Sequence, residues 1–329
     1  MFNFSKNRSP HKNFRKIFSP AGRRKEKVDY DEEEELIQKE EDLKDVQIDI
    51  FTSIDEDYKH CQKKHKDFMS KKELTLSDLP EHMQNEDVFD LIKTTADLTV
   101  MVTFSDDSDT LKKMGTGWIG HILQYTKKDK MKCTCKKCRK SPNYDWGKIT
   151  VYTSTDVVPN NSNGKQVVCS IFIDDDEDNV LHLQGCEVEA KFHKCRIKFK
   201  TCNAELLKKL NKLRQKVTEL TYKINTKYKD LNDGSLISDD DERLVIIISY
   251  IHGMNRRVSL GSWSHRSAKI DKKNNIEITK YIYTAPTCLG STGAYVYILG
   301  RAHCGWLYQH YHVGVNALNQ GFCGYGIDA

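Results

Sequence analysis

From Leu98 onward, apolar residues come in short runs rich in β-branched and aromatic types, separated by Gly, Asn, Asp and Ser: LTVMVTF, GTGWIGHIL, KITVYTS, QVVCSIFID, VLHLQGCEVEAKF and CRIKFK. Many short strands without helices between them predict an antiparallel barrel or sandwich rather than a parallel α/β sheet. The period then changes. Beginning near Asn203, the residues Leu206, Leu210, Leu213, Val217, Leu220 and Ile224 alternate steps of four and three, which places them on one apolar stripe of a long helix. Such a stripe can pair two chains as a coiled coil, but it holds too few heptads for a long seam, so packing against its own domain is the favoured expectation. Past the acidic stretch Asp239 to Glu242, strand-like runs resume as LVIIISYI, RRVSLGSW, IEITKYIYTA and GAYVYILG, followed by an aromatic C-terminal stretch.

Upstream of Leu98 there is much less to bury. Residues 1–45 join a basic segment to the acidic run Asp31 to Glu35, a pattern expected to stay disordered, and residues 46–95 read as a polar, helical preamble. Ser77, Asp78 and Glu81 resemble a helix start, with Pro80 acceptable in a first turn. The predicted layout is an all-β fold of two antiparallel barrels, 96–202 and 240–329, with a helical insertion and acidic linker at 203–239.

Composition narrows the function classes. The chain has 329 residues, 38% of them hydrophobic, enough for two compact units. Its net charge of +5 is uneven: residues 1–27 carry nine Lys/Arg and one Glu, so the remainder is slightly acidic. The folded part therefore lacks nucleic-acid character. The basic residues Lys6, Arg8, Arg15, Lys16, Arg23, Arg24 and Lys25 suit nuclear import or RNA contact, although a solvated tail is the favoured reading and nucleic acid a disfavoured partner. Eleven cysteines in a chain that opens MFNFSKNRSPHKNFRKIF, without a signal-peptide apolar core, suggest reduced thiols in the cytoplasm or nucleus. No stretch approaches the roughly 18 apolar residues a membrane span requires, so no membrane partner is expected.

The most informative segment runs Tyr283-Thr284-Ala285-Pro286-Thr287-Cys288-Leu289-Gly290-Ser291-Thr292-Gly293-Ala294, followed by an apolar strand and His310-Tyr311-His312. A small hydroxyl residue in a Gly-flanked turn before a strand is one way to present a nucleophile beside backbone N–H donors. With GTGWIGHI and KITVYTSTDVV preceding the helix, residues 96–329 resemble trypsin-like proteins of the chymotrypsin-fold (PA) clan. The resemblance is closest to an uncharacterised invertebrate group with a Cys-rich loop and a helix between the barrels. It implies that Asp156 stands at the position of the general base, His193 at that of the orienting acid and Thr292 at that of the nucleophile. Gly290 and Thr292 would supply the oxyanion N–H groups, and His252, His310 and His312 would line the substrate groove. All three triad positions are therefore substituted. An Asp, with a pKa of about 3.9, has far less proton affinity than an imidazole at about 6.5, and Thr adds a methyl group in the path of attack. The resemblance thus implies a protease homologue that has lost efficient catalysis but keeps a cleft for an unidentified peptide or protein. An atypical serine/threonine endopeptidase and a nucleic-acid-associated protein are the alternatives.

One further constellation is metal-like. Cys133, Cys135 and Cys138 lie in a polar, Lys/Arg-flanked loop with spacing suited to part of a structural zinc site, the only cofactor expected. The fourth ligand must come from elsewhere, with Cys169, His121 and Cys202 as candidates. A loop of exposed, reactive thiols is the competing reading.

Overall fold

The computed structural model describes residues 65–107, 112–160, 162–172, 180–191, 194–228, 243–253, 256–271, 276–301, 309–315, 321–323 and 326–327. The charged 1–45 tail, the acidic Asp239–Glu242 loop and His193 lie outside the described residues. The chain first forms short 3-10 turns and the two-residue strand β1 (Met69–Ser70), then helix α1 (Glu86–Leu98). The helix start suggested around Pro80 is two 3-10 turns, Leu76–Asp78 and Glu81–Met83; α1 begins later, where Asn85 caps it by accepting from the Asp87 N–H at 2.8 Å. Glu86 and Asp87 then place negative charge at its N-terminus, where the helix dipole favours it.

Six strands follow: β2 (Thr99–Ser105), β3 (Lys112–Tyr125), β4 (Trp146–Ser154), β5 (Val167–Phe172), β6 (Val180–Lys191) and β7 (Lys194–Thr201). They close into an antiparallel barrel in the order β2-β3-β4-β7-β6-β5, with β5 returning to β2. Alternation explains which side chains fill it. Along β2, Val100, Val102 and Phe104 are buried, and along β7 Cys195, Ile197 and Phe199 are buried, as a period of two requires.

Helix α2 (Ala204–Lys227) leaves the barrel after β7, capped by Asn203, whose side chain accepts from the Leu206 N–H at 2.9 Å. Leu206, Leu207, Leu210, Val217 and Ile224 are buried in the same apolar cluster as the barrel, and Leu213 and Leu220 pack on that cluster. The stripe read from the sequence is thus covered within the chain. Lys216–Asp90 at 2.8 Å and Lys223–Asp87 at 2.7 Å connect α2 to α1, but these pairs are partly exposed and add little stability.

The remaining strands are β8 (Leu244–Ser249), β9 (Arg257–Asp271), β10 (Ile276–Tyr283), β11 (Tyr295–Ile298), β12 (His310–Val315), β13 (Gly321–Cys323) and β14 (Gly326–Ile327). They form one eight-stranded sheet with β1, in the order β1-β9-β8-β11-β12-β13-β10-β14, with an additional pairing of β9 to β10. Along β8 and β11 every residue is buried, and side chains alternate between the core shared with the barrel and a second cluster that includes Val245, Ile247, Val296 and Ile298. All of this belongs to one unit, Val46–Ala329. Among the described residues no helix is long and apolar enough to cross a membrane.

Candidate functional site

The turn that carries Thr292 lies where the barrel meets the second sheet, and Thr116 of β3 organises the junction. Its N–H donates to the Thr292 carbonyl at 2.9 Å and its hydroxyl to the Gly290 carbonyl at 2.8 Å. The same hydroxyl accepts from the Tyr250 N–H at 2.9 Å, while the Thr116 carbonyl accepts from the Thr153 hydroxyl at 2.8 Å. Four polar contacts thus converge on a residue with no exposed surface. From the sheet side, Gly293 donates to the His312 carbonyl at 2.9 Å. Gly293 also has φ +82°, and a Cβ there would lie 2.1 Å from the Thr153 hydroxyl oxygen and 2.4 Å from the Thr116 carbonyl oxygen. Both the left-handed backbone and the close approach therefore require glycine. Trp118 stacked on Tyr295, 4.9 Å between ring centroids, adds an apolar contact across the same junction.

The approach of Gly293 to Thr153 and to the Ser154 N–H sets the Thr292 turn against the end of β4, two residues before Asp156. Asp156 is half-buried, and its carboxylate accepts from the Ser154 hydroxyl at 2.8 Å. Lys113 donates to the Asp156 carbonyl at 3.1 Å. Thr292 is 7% exposed, and Gly290 has φ +90°. Of the three residues expected at triad positions, Asp156 and Thr292 can be placed, whereas His193 cannot.

The three histidines expected to line a groove are all buried. The His310 ring bonds the Thr279 hydroxyl at 2.8 Å, and His312 Nδ1 meets the Tyr283 hydroxyl at 2.6 Å, so both brace the interior of the second sheet. His252 differs. It sits in the 3-10 turn Ile251–Gly253 with φ +51°, and its Nε2 faces Cys288 Sγ at 3.0 Å and His65 Nε2 at 3.3 Å. Cys288 and His65 carry no signal in the sequence, because partners 36 and 187 positions from His252 leave no local spacing to find.

The Cys loop lies between β3 and β4. Its three thiols meet a fourth, Cys202, whose Sγ lies 3.1, 3.7 and 3.3 Å from those of Cys133, Cys135 and Cys138. These separations exceed the S–S bond length of about 2.05 Å and approach the edge, about 3.8 Å, of a tetrahedron with Zn–S bonds of about 2.3 Å. The group can hold a metal ion. Of the three candidates for fourth ligand, Cys202 is the residue brought in. Strand order explains this: β7 pairs with β4, Thr201 opposite Gly147, so the residue after β7 meets the loop before β4.

Trp146 and Tyr125 pack beneath the loop with ring centroids 4.6 Å apart, the Trp146 indole N–H donates to the Met131 carbonyl at 2.9 Å, and the Cys133 N–H donates to the Asn143 carbonyl at 2.8 Å. Burial would raise the Cys135 thiol, but hydrogen bonds from the Cys138 N–H and from the Cys138, Cys133 and Cys202 thiols outweigh it and bring it down to about 7. Burial and the neighbouring thiols push Cys202 up.

No protein-family model and none of the curated proteins matches the chain. Among solved structures it is similar to the active form of the Rv3671c protease from M. tuberculosis, at 12% identity over 71% of this chain and 78% of that one, with a TM-score of 0.37. It is also similar to Deg5, at 11% identity over 74% and 90% with a TM-score of 0.38, and to the HtrA-type protease AlgW with tripeptide, at 9% over 71% and 58% with a TM-score of 0.38. These are low-identity similarities of chain path alone, and no residue here takes a role from them.

Proposed function

We propose that this chain is a catalytically impaired homologue of trypsin-like proteases whose cleft between barrel and second sheet binds a peptide or protein segment. In this reading the β9–β10 pairing rolls the second sheet into a second barrel, and α2 is the helix between the two. The observation that carries the proposal is the chemistry of the two residues placed at the junction. The candidate base is Asp156, a carboxylate that accepts from the Ser154 hydroxyl, and the candidate nucleophile is Thr292, a secondary alcohol in a buried turn. Internal threonine lacks the free N-terminal amine that usually activates threonine nucleophiles, and loss of base catalysis alone costs roughly 10²- to 10⁴-fold. A barrel does not need a working triad to keep its shape, so a binding cleft outlasts the chemistry.

Zinc is the metal we assign to Cys133, Cys135, Cys138 and Cys202, because an all-thiolate, four-ligand set is a closed structural site. A fluorophosphonate probe, which reacts only with activated hydroxyls, tests the loss of chemistry. Incubation of the full chain followed by mass spectrometry should leave Thr292 unmodified. Stoichiometric labelling that disappears in Thr292→Ala would instead establish an atypical threonine peptidase.

A further inference from the structure

We propose that His65, His252 and Cys288 form a second metal site, of Zn²⁺ type, that ties the segment preceding α1 to the loop carrying Thr292. The three side chains come from separate elements: His65 from the 3-10 turn His65–Asp67, His252 from the turn that follows β8, and Cys288 from the loop after β10. Their donor atoms converge. His252 Nε2 and His65 Nε2 are 3.3 Å apart, and they lie 3.0 and 3.4 Å from Cys288 Sγ. Tetrahedral zinc with Zn–N of about 2.05 Å and Zn–S of about 2.3 Å requires N–N and N–S edges of about 3.3 and 3.6 Å. The triangle is already close to that size.

The alternative chemistry for such a group is a thiol nucleophile with an imidazole base. In that arrangement the third residue holds the base through its other ring nitrogen, as the acid of a Ser-His-Asp triad does. Here both imidazoles present Nε2 to the same sulfur, which is the geometry of ligands around a shared centre. Cys288 is also only 5% exposed, so a substrate carbonyl has poor access to it.

Two further observations favour a metal. His252 adopts φ +51°, uncommon for a residue with a Cβ, and its N–H donates to the Leu289 carbonyl at 2.7 Å; local strain of this kind clusters at functional sites. Phe68, Ile251, Cys288 and Leu289 form a separate apolar cluster around the site, a dry surround that strengthens metal–ligand bonds. Three protein donors leave tetrahedral zinc one further position for water. Binding would displace the Cys288 thiol proton to solvent and use both imidazoles in their neutral form.

The consequence reaches the junction. The Cys288 N–H donates to the Ser291 hydroxyl at 3.1 Å and the Ser291 N–H to the Cys288 carbonyl at 2.9 Å, so a metal that fixes Cys288 also fixes the turn ending in Thr292. This holds whether or not the cleft is catalytically silent.

Zinc counting on the full chain tests the site. Protein purified under reducing, chelator-free conditions should carry two zinc ions by native mass spectrometry. His65→Ala, a change on a short peripheral turn, should lower the count to one, as should Cys133→Ser with Cys135→Ser at the other cluster. X-ray absorption on the remaining zinc of the double-serine variant should show one sulfur ligand at about 2.3 Å and nitrogen ligands at about 2.0–2.1 Å. Should His65→Ala fail to fold, that absorption spectrum decides alone. One zinc in the unmodified chain, retained by His65→Ala and lost in the double-serine variant, would overturn this site and leave the four-thiol site standing. One zinc lost in His65→Ala and retained in the double-serine variant would do the reverse.

Discussion

Replacing Cys133 and Cys135 together with serine is expected to lower the melting temperature by about 10 °C. Structural zinc in small finger peptides contributes about 10–16 kcal/mol, because there the metal is the core. Here the barrel has its own apolar core, so we expect only about 4 kcal/mol to be lost, and for a unit of this size each kcal/mol moves Tm by about 2–4 °C. The damage should centre on the loop that Trp146 and Tyr125 support. Chelator should destabilise the unmodified chain at least as much, and the double variant only through its remaining zinc. Acidification should act in the same direction, because the metal binds thiolates and protons compete for them as pH falls. A melting temperature indifferent to both substitutions and to chelator would remove the zinc assignment.

Thr116→Val should be nearly as harmful, although valine has the same shape and favours strands. The substitution deletes the hydroxyl that donates to Gly290 and accepts from Tyr250, leaving a carbonyl and an N–H without that partner at a position with no exposed surface. Each buried polar group stranded in this way costs about 1–3 kcal/mol, for a total of about 3 kcal/mol. Thr116→Ser keeps the hydroxyl and should cost less than about 1.5 kcal/mol, through lost methyl packing alone. Denaturant titration of the two variants separates these outcomes. Equal stability of Val and Ser would show that the junction rests on apolar contacts such as Trp118 on Tyr295.

The extent to which the sequence disclosed this architecture depended on the range of each interaction. The six barrel strands and the α2 stripe were legible because alternation by two and steps of three and four are properties of neighbouring residues. The start of α1 was misplaced because Ser77, Asp78 and Pro80 carry cap-like chemistry, yet Asp78 spends its carboxylate on the Thr75 N–H and closes only a short turn. Three zinc-type thiols were evident from their spacing, while Cys202 was one of three candidates until the pairing of β7 with β4 selected it. The resemblance implies only a groove role for His252; its approach to His65 accompanies the pairing of β1, just after His65, with β9, which no local pattern encodes. Thr116 was legible only as part of the GTGWIGHI strand, and its role as the polar centre of the junction arises only when a second sheet is laid against it.

The most direct test of catalytic silence at the barrel–sheet junction is hydrolysis of a diverse peptide library by the full chain and by Thr292→Ala, with products detected by mass spectrometry. If Asp156 and Thr292 no longer form working chemistry, the two proteins should give the same background cleavage at every pH from about 5 to 9, a range that spans imidazole and thiol titrations. Turnover by the unmodified chain that Thr292→Ala abolishes would contradict the proposal and make this junction an active site.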